Sequence, residues 1–210
     1  MRITVFGATG GTGQQVLHQA LSAGHHVTAV VRDVARLKQS DHPRLEPVVA
    51  DVMDPEAIGA ALTRQDAVVS VLGPRDRSDA SVCADGARAI IAAMRGAGTR
   101  RLIVVTASGH IVDAGDGPIT RAVVKPLLRR YLRAGFADFT RTEEAVRDSG
   151  LDWTIMRPPR LTDGKHRPYR TAIDRNVRGG ITIARTDLAH AILAALDAPT
   201  TVGHTIALGY

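Results

Sequence analysis

Glycines at positions 7, 10, 11 and 13, set between an apolar run and a helix-compatible segment, constrain this chain more than any other feature. The run is Ile3 to Phe6 and the segment is Gln14 to Ala23, so the order reads strand, tight turn, helix. Such a turn needs glycine: the chain must reverse sharply, the backbone must approach a bound group, and the new helix must pack on its strand with no Cβ between them. A helix starting there points its unpaired N–H groups and the positive end of its dipole at the mouth of the turn, a setting suited to a diphosphate. Thr9 and Thr12 add hydroxyl donors at that mouth. The plainer alternative is a glycine-rich turn with no ligand. The strand before it and the helix after it argue for the ligand.

The rest of the chain repeats the alternation. Apolar runs at His26–Val31, Leu45–Ala50, Ala67–Leu72, Arg101–Thr106 and Asp152–Met156 predict further strands. Between them, Asp33 to Lys38 reads as a short helix or turn. Asp54 to Leu62 reads as a helix with Asp54 as N-cap and Pro55 at its first position. Ser81 to Gly96 reads as an Ala-rich helix ending at glycine. Near-continuous rather than alternating apolar strands are covered on both faces, and strands alternating with helices make a parallel sheet. The expected fold is therefore α/β, a doubly wound parallel sheet.

The second half is less regular. His110 to Pro118 reads as a surface loop, and Val123 to Arg133 carries a helical stripe that Pro126 must start or kink. Thr140 and Glu143 have capping-box spacing for a helix from Thr140 to Ser149, stopped by Gly150. Arg157 to Arg178 reads as an irregular excursion, followed by a helix over 186–196 and a last strand over 205–208. With 210 residues, 44% of them hydrophobic, the chain can bury one sizeable core, so residues 1–210 are expected to form a single domain with the substrate-side excursion at about 157–180.

One cysteine, Cys83, excludes an internal disulfide framework and a cysteine-rich zinc site, so no metal is expected. Met1 leads directly into strand residues without the pattern of a signal peptide, and no apolar run approaches the ~20 residues of a membrane helix; a soluble, cytoplasmic protein is expected. Oligomeric state is left open between monomer and dimer. The net charge of +6 suggests nucleic acid. Against it, the lysines are Lys38, Lys125 and Lys165, the arginines are scattered, and 3% aromatic residues leave few rings for base stacking. A small anionic ligand is the more economical partner.

In a sheet of this kind the ligand lies beyond the carboxyl ends of the strands. The end of the second strand reads the adenosine ribose: an acidic residue suits a free 2′-hydroxyl, an arginine a 2′-phosphate. Here it is Arg32, with Arg36 four positions on, and guanidinium groups pair phosphate through parallel N–H bonds. The expected cofactor is NADPH. Asp33 beside Arg32 could reach a ribose hydroxyl instead, and Arg32 could be a plain surface charge. Asp51 and Val52 follow the third strand, where side chains flank adenine, although Asp51 could equally be a turn acid. Leu72 and Gly73 follow the fourth strand, where a small residue lets the backbone pass the ribose. Thr106, at the end of the fifth, completes the cofactor set of Gly7, Thr9, Gly10, Gly11, Thr12, Gly13, Arg32, Arg36, Asp51, Val52, Leu72 and Gly73.

With Gly7-Ala-Thr-Gly-Gly-Thr-Gly13, Val31 to Arg36, Leu72-Gly73, Ser81 to Met94, Thr106-Ala-Ser108 and Arg157-Pro-Pro159 in view, the chain resembles the atypical short-chain dehydrogenase/reductases. The likeness is to their NmrA-like and biliverdin-IXβ/flavin reductase branch. The resemblance implies a Rossmann fold, NADPH, and hydride transfer to flavins, quinone-like compounds or tetrapyrroles. It also implies an alternative, a non-catalytic NAD(P)-sensing protein of the NmrA-like type.

Classical members of that family use a Tyr-X-X-X-Lys pair. Here Gly135 stands four residues after Tyr131 and Ile173 four after Tyr169, so the pair is absent. The serine of the flavin reductase branch falls on Ala107, with Ser108 one residue late. Its pocket histidines fall on Arg160 and Phe139. These departures weaken biliverdin reduction. A flavin (FMN or FAD) or a quinone can accept hydride with the proton drawn from solvent, the protein supplying position and electrostatics. Ser108 and Arg160 are then the candidate catalytic residues, Arg160 as an anion-stabilising donor, with a structural role open for both. Lys125, Arg129 and Arg133, with Arg130 beside them, read as a solvated basic face or a guide for an anionic substrate. His110 reads as an exposed loop residue that could shuttle protons.

Overall fold

The computed structural model describes residues 1–74, 81–113, 116, 117, 121, 122, 125, 127 and 133–210. Strands β1 (Arg2–Phe6), β2 (His26–Val31), β3 (Leu45–Val49), β4 (Ala67–Ser70), β5 (Arg101–Val105) and β6 (Asp152–Arg157) follow the expected runs within a residue or two. The excursion adds β7 (Arg160–Thr162), β8 (Arg170–Ile173) and β9 (Thr182–Ala184), and β10 (His204–Gly209) ends the chain. The main sheet has the order β3-β2-β1-β4-β5-β6-β10-β8, parallel throughout except for the antiparallel pairing of β8 with β10. This is a Rossmann-type fold. Strand order runs outward in both directions from the β1–β4 junction, which opens a crevice beyond their carboxyl ends.

Both faces of the sheet are covered, as continuous apolar strands require. Helix α1 (Gly11–Ser22) places Val16, Leu17, Ala20 and Leu21 against one face, beside α5 (Arg185–Leu196) with Leu188, Ala189 and Ile192. On the other face lie α2 (Pro55–Gly59), α3 (Val82–Ala97) and α4 (Arg133–Arg147), packed around Phe6, Ile58, Ile90, Met94 and Ile155. Asp54 caps α2 as its sequence implies, accepting from Glu56 N at 3.0 Å and Ala57 N at 3.2 Å. Helix α3 is capped from a distance: the Asp138 carboxylate of α4 accepts from Cys83 N and Ala84 N, both at 3.0 Å. Ser81 makes no side-chain cap. Burial, and then the charge of Asp138, push the Cys83 thiol above its usual range.

Four local expectations are corrected. The helix expected to start at Thr140 is the later part of α4. Thr140 sits inside it with its hydroxyl donating to the Phe136 carbonyl at 3.0 Å, so the capping-box spacing marks no terminus. The 157–180 excursion is more ordered than its prolines and glycines suggest. β7 and β9 pair with each other, and β8 extends the main sheet. His110 is buried, in a single 3₁₀ turn (Ser108–His110) between the rings of Phe136 and Phe139. Of the expected helix over 123–133, most residues, Tyr131, Arg129 and Arg130 among them, lie outside the described residues. Lys125 itself is buried, its ammonium 2.7 Å from Asp116 and bonded to the Ile111 carbonyl, so it belongs to no solvated basic face. Among the described residues no helix is long and apolar enough to cross a membrane, and no group of His, Cys, Asp or Glu is placed to hold a metal ion.

Candidate functional site

The crevice at the β1–β4 junction is a cleft of about 620 Å³. Its floor is the β1–α1 turn. Gly7 has φ +79, and a Cβ there would meet the Val71 carbonyl oxygen at 2.6 Å. A Cβ on Gly13 would come within 2.2 Å of the Gly7 oxygen and 2.7 Å of Ala8 Cα. Both positions therefore require glycine: one for its dihedral, the other because helix and turn backbones touch. Gly10 N bonds back to Gly7 O at 3.0 Å, closing the turn. Helix α1 begins with Gly10 as N-cap, with no side chain capping it and no acidic residue in its first turn. Its amino end thus faces the cleft with its partial positive charge uncancelled. The chemistry of this cradle suits a diphosphate.

Of the residues expected to hold a dinucleotide, the cleft brings together Gly7, Thr9, Gly10, Gly11, Thr12, Arg32, Arg36, Asp51, Val52, Leu72 and Gly73. Gly13 lies beneath the turn as packing. Arg32 and Arg36 are exposed at the rim, and neither guanidinium has a carboxylate partner among the described residues. Asp33, the acidic alternative to Arg32, is occupied: its carboxylate accepts from Ala35 N at 3.0 Å and caps a 3₁₀ turn over Val34–Arg36. Asp51 lines the cleft and also accepts from Met53 N at 3.0 Å, so the turn role and the cleft position coincide.

Thr106, Ser108 and Arg160 do not line this cleft. The Thr106 hydroxyl donates to Glu143 Oε1 at 2.9 Å, in a buried cluster that the local sequence does not announce. Ser108 donates its backbone N–H to the Pro158 carbonyl at 2.8 Å. Arg160 is exposed on β7. Tyr169 also stands outside the cleft, with its hydroxyl 2.8 Å from His190 Nδ1.

The Glu143 cluster is the feature most hidden from sequence reading. This α4 carboxylate is almost fully buried. It accepts from Thr106 at the end of β5, from Arg157 at the end of β6 (Nε at 2.8 Å, and Nη2), and from Arg147 one turn along α4 at 2.7 Å. His110 Nε2 lies 3.3 Å away but out of hydrogen-bond alignment. Burial works to raise the carboxyl, but the Arg157 guanidinium and the nearby His110 outweigh it and hold Glu143 well below the usual carboxylate range. The cluster clamps the carboxyl ends of β5 and β6 to α4. Arg185 at the start of α5 is the other unannounced residue: it lines the cleft directly opposite Gly11. Its only sequence signal is a basic residue at a helix start, where the dipole disfavours it.

Comparison with known proteins follows the same lines. The NAD(P)H-binding family matches residues 7–199. The Bacillus subtilis protein YwnB is 26% identical over 207 residues, 95% of this chain and 93% of its own length. A 3-diazoavenalumate denitrifying reductase from a Streptomyces species is 35% identical over 173 residues, 75% of this chain, and the match spans about half (55%) of that longer relative. Among solved structures, a Veillonella parvula short-chain dehydrogenase/reductase in complex with NADP superposes with a TM-score of 0.83 at 20% identity, covering 100% of this chain and 94% of that one. A candidate NADH-flavin reductase from Streptococcus pneumoniae gives 0.79 at 22%, covering 100% and 99%.

Proposed function

Because this chain belongs to the NAD(P)H-binding family, we propose that it is a reductase of small molecules, using NADPH to reduce a flavin or quinone-like acceptor. One observation carries the reading. A single cleft is lined both by the glycine cradle and by Arg32 and Arg36, two arginines without carboxylate partners among the described residues, the two kinds of group that a 2′-phosphorylated dinucleotide needs. The Veillonella neighbour crystallised with NADP and the Streptomyces relative named as a reductase support it.

In this reading Gly7 and Gly13 let the turn close on the diphosphate, and the α1 amino end stabilises its charge. Arg32 and Arg36 hold the 2′-phosphate, which NADH lacks. Val52 and Leu72 give adenine an apolar wall. The bound nicotinamide supplies the hydride. Among the described residues, the cleft lining contains no Tyr, His, Lys or Cys. This suits an acceptor whose reduced ring takes its proton from water. The Glu143 clamp fixes the carboxyl ends of β5 and β6.

The absence of a Tyr-X-X-X-Lys pair from the sequence favours a second reading, a protein that binds NADP(H) and signals its presence without chemistry. NADPH oxidation with FMN, FAD, menadione and dichlorophenolindophenol separates the two. The reductase shows turnover with at least one of them. Tight NADP binding without turnover above background removes the reductase reading and leaves the sensor.

A further inference from the structure

Arg185 reaches across the cleft from the start of α5 and lies over the glycine turn. Its Cδ is 2.8 Å from where a Cβ on Gly11 would stand, so the guanidinium stem fills the space that this glycine leaves. The backbone beneath it is held firmly. Ala184 N donates to the Tyr210 hydroxyl at 2.9 Å, Gln19 Nε2 donates to Thr186 O at 2.9 Å, and the Thr186 hydroxyl bonds Gln15 Oε1 at 3.2 Å. Arg185 is thus aimed at the mouth of the cradle by α1 itself. Its present partner is Asp163, 2.7 Å away, from the excursion. That carboxylate is 90% exposed and the arginine side chain 31%. An ion pair so open to water is weak, far too weak to hold the guanidinium against a doubly charged ligand placed between it and the α1 amino end.

We propose that Arg185 and Asp163 form a counter-ion latch on the cradle, in which Asp163 neutralises Arg185 in the free protein and an incoming diphosphate takes the guanidinium over. This rests on the dinucleotide reading above and adds to it a third arginine, distinct in role from Arg32 and Arg36, together with an internal competitor. Occupancy of the cleft then frees Asp163, which leads into the segment running from β7 to β8, so the excursion senses the ligand. Asp163 raises the apparent dissociation constant by keeping part of the population in the paired state.

Titration calorimetry with NADP⁺ on four proteins tests this: wild type, Arg185→Ala, Asp163→Asn and the double variant. Loss of a charge-assisted phosphate contact should weaken binding by about tenfold or more in Arg185→Ala. Asp163→Asn should tighten it about two- to fivefold, the worth of an exposed pair. In the Arg185→Ala background the Asp163→Asn change should have no effect. Opposite signs in the single variants, and that loss of effect in the double, are what a latch produces. A purely structural ion pair would make both single variants bind more weakly, and a general field effect of Asp163 would persist without Arg185. Either result, or an Arg185→Ala protein binding within twofold of wild type, overturns the latch. Wild-type protein that ignores NADP⁺ at millimolar concentration would instead overturn the dinucleotide reading itself.

Discussion

Replacing Glu143 by glutamine keeps the shape of the buried cluster and removes the only negative charge that the described residues place in it. Arg157, itself 7% exposed, would then hold a buried positive charge with no counter-ion, and Arg147 and His110 would lose the group they face. Removing one partner of a buried pair costs about 3 to 5 kcal/mol, against a total stability of about 5 to 15 kcal/mol. For a chain of this size each kcal/mol shifts the melting temperature by about 2 to 4 °C, so Glu143→Gln should melt about 6 to 20 °C lower at pH 7. The pH dependence follows from the depressed carboxyl of the folded state. A group of that kind stabilises fully above its unfolded value, ~4.3 for glutamate, and the contribution is lost as pH falls through the folded value. The gap between wild type and Glu143→Gln should therefore be constant from about pH 6 to 8 and narrow below about pH 4. Thermal melts by circular dichroism, repeated along a pH series, measure both quantities. A second change, Arg157→Met, made on Glu143→Gln should recover part of the loss, because the orphaned cation is gone. A shift under about 2 °C at pH 7, or a gap that stays constant down to pH 3, would show that the carboxylate is not carrying this charge balance.

Arg32→Ala should weaken NADPH by ~1.5 to 3 kcal/mol, about 10- to 150-fold, while hardly altering NADH. Fluorescence titration of both nucleotides checks it, and an equal loss on both would mean that no 2′-phosphate sits there. Gly13→Ala places a methyl group 2.2 Å from the Gly7 oxygen, against backbone that cannot swing aside. It should lower the melting temperature and weaken NADP⁺ more than about tenfold, despite the ~1 kcal/mol that alanine normally contributes to a helix. A stable variant with unchanged affinity would refute the close contact between turn and helix.

The order of strands and helices could be read from local pattern because each signal is carried by neighbours in the chain. Asp54-Pro55 stops and starts the backbone within two residues, and Val27 to Val31 is apolar but for Thr28. Most of the residues expected at the cleft were legible for the same reason, since they lie within a few residues of a strand's carboxyl end. Failures occurred where a local signal met a distant partner. Thr140 and Glu143 have capping-box spacing, but the hydroxyl turns back to Phe136 and the carboxylate turns to Arg157. His110 sits in a stretch that reads as surface, yet Phe136 and Phe139 of α4 cover it. Thr106 stands at a strand end like the true cleft residues, but Glu143 takes its hydroxyl.

Local backbone chemistry, then, was enough to specify the glycine turn, the apolar strands and the guanidinium groups at the rim, since dihedral freedom, burial on both faces and charge belong to residues taken singly or in short runs. The counter-ion of each charge could not be known that way. Whether Arg185 faces solvent or the cradle, and whether Glu143 caps a helix or anchors two strands, depends on groups brought within 3 Å of each other by the folded chain from positions 14 to 37 residues apart.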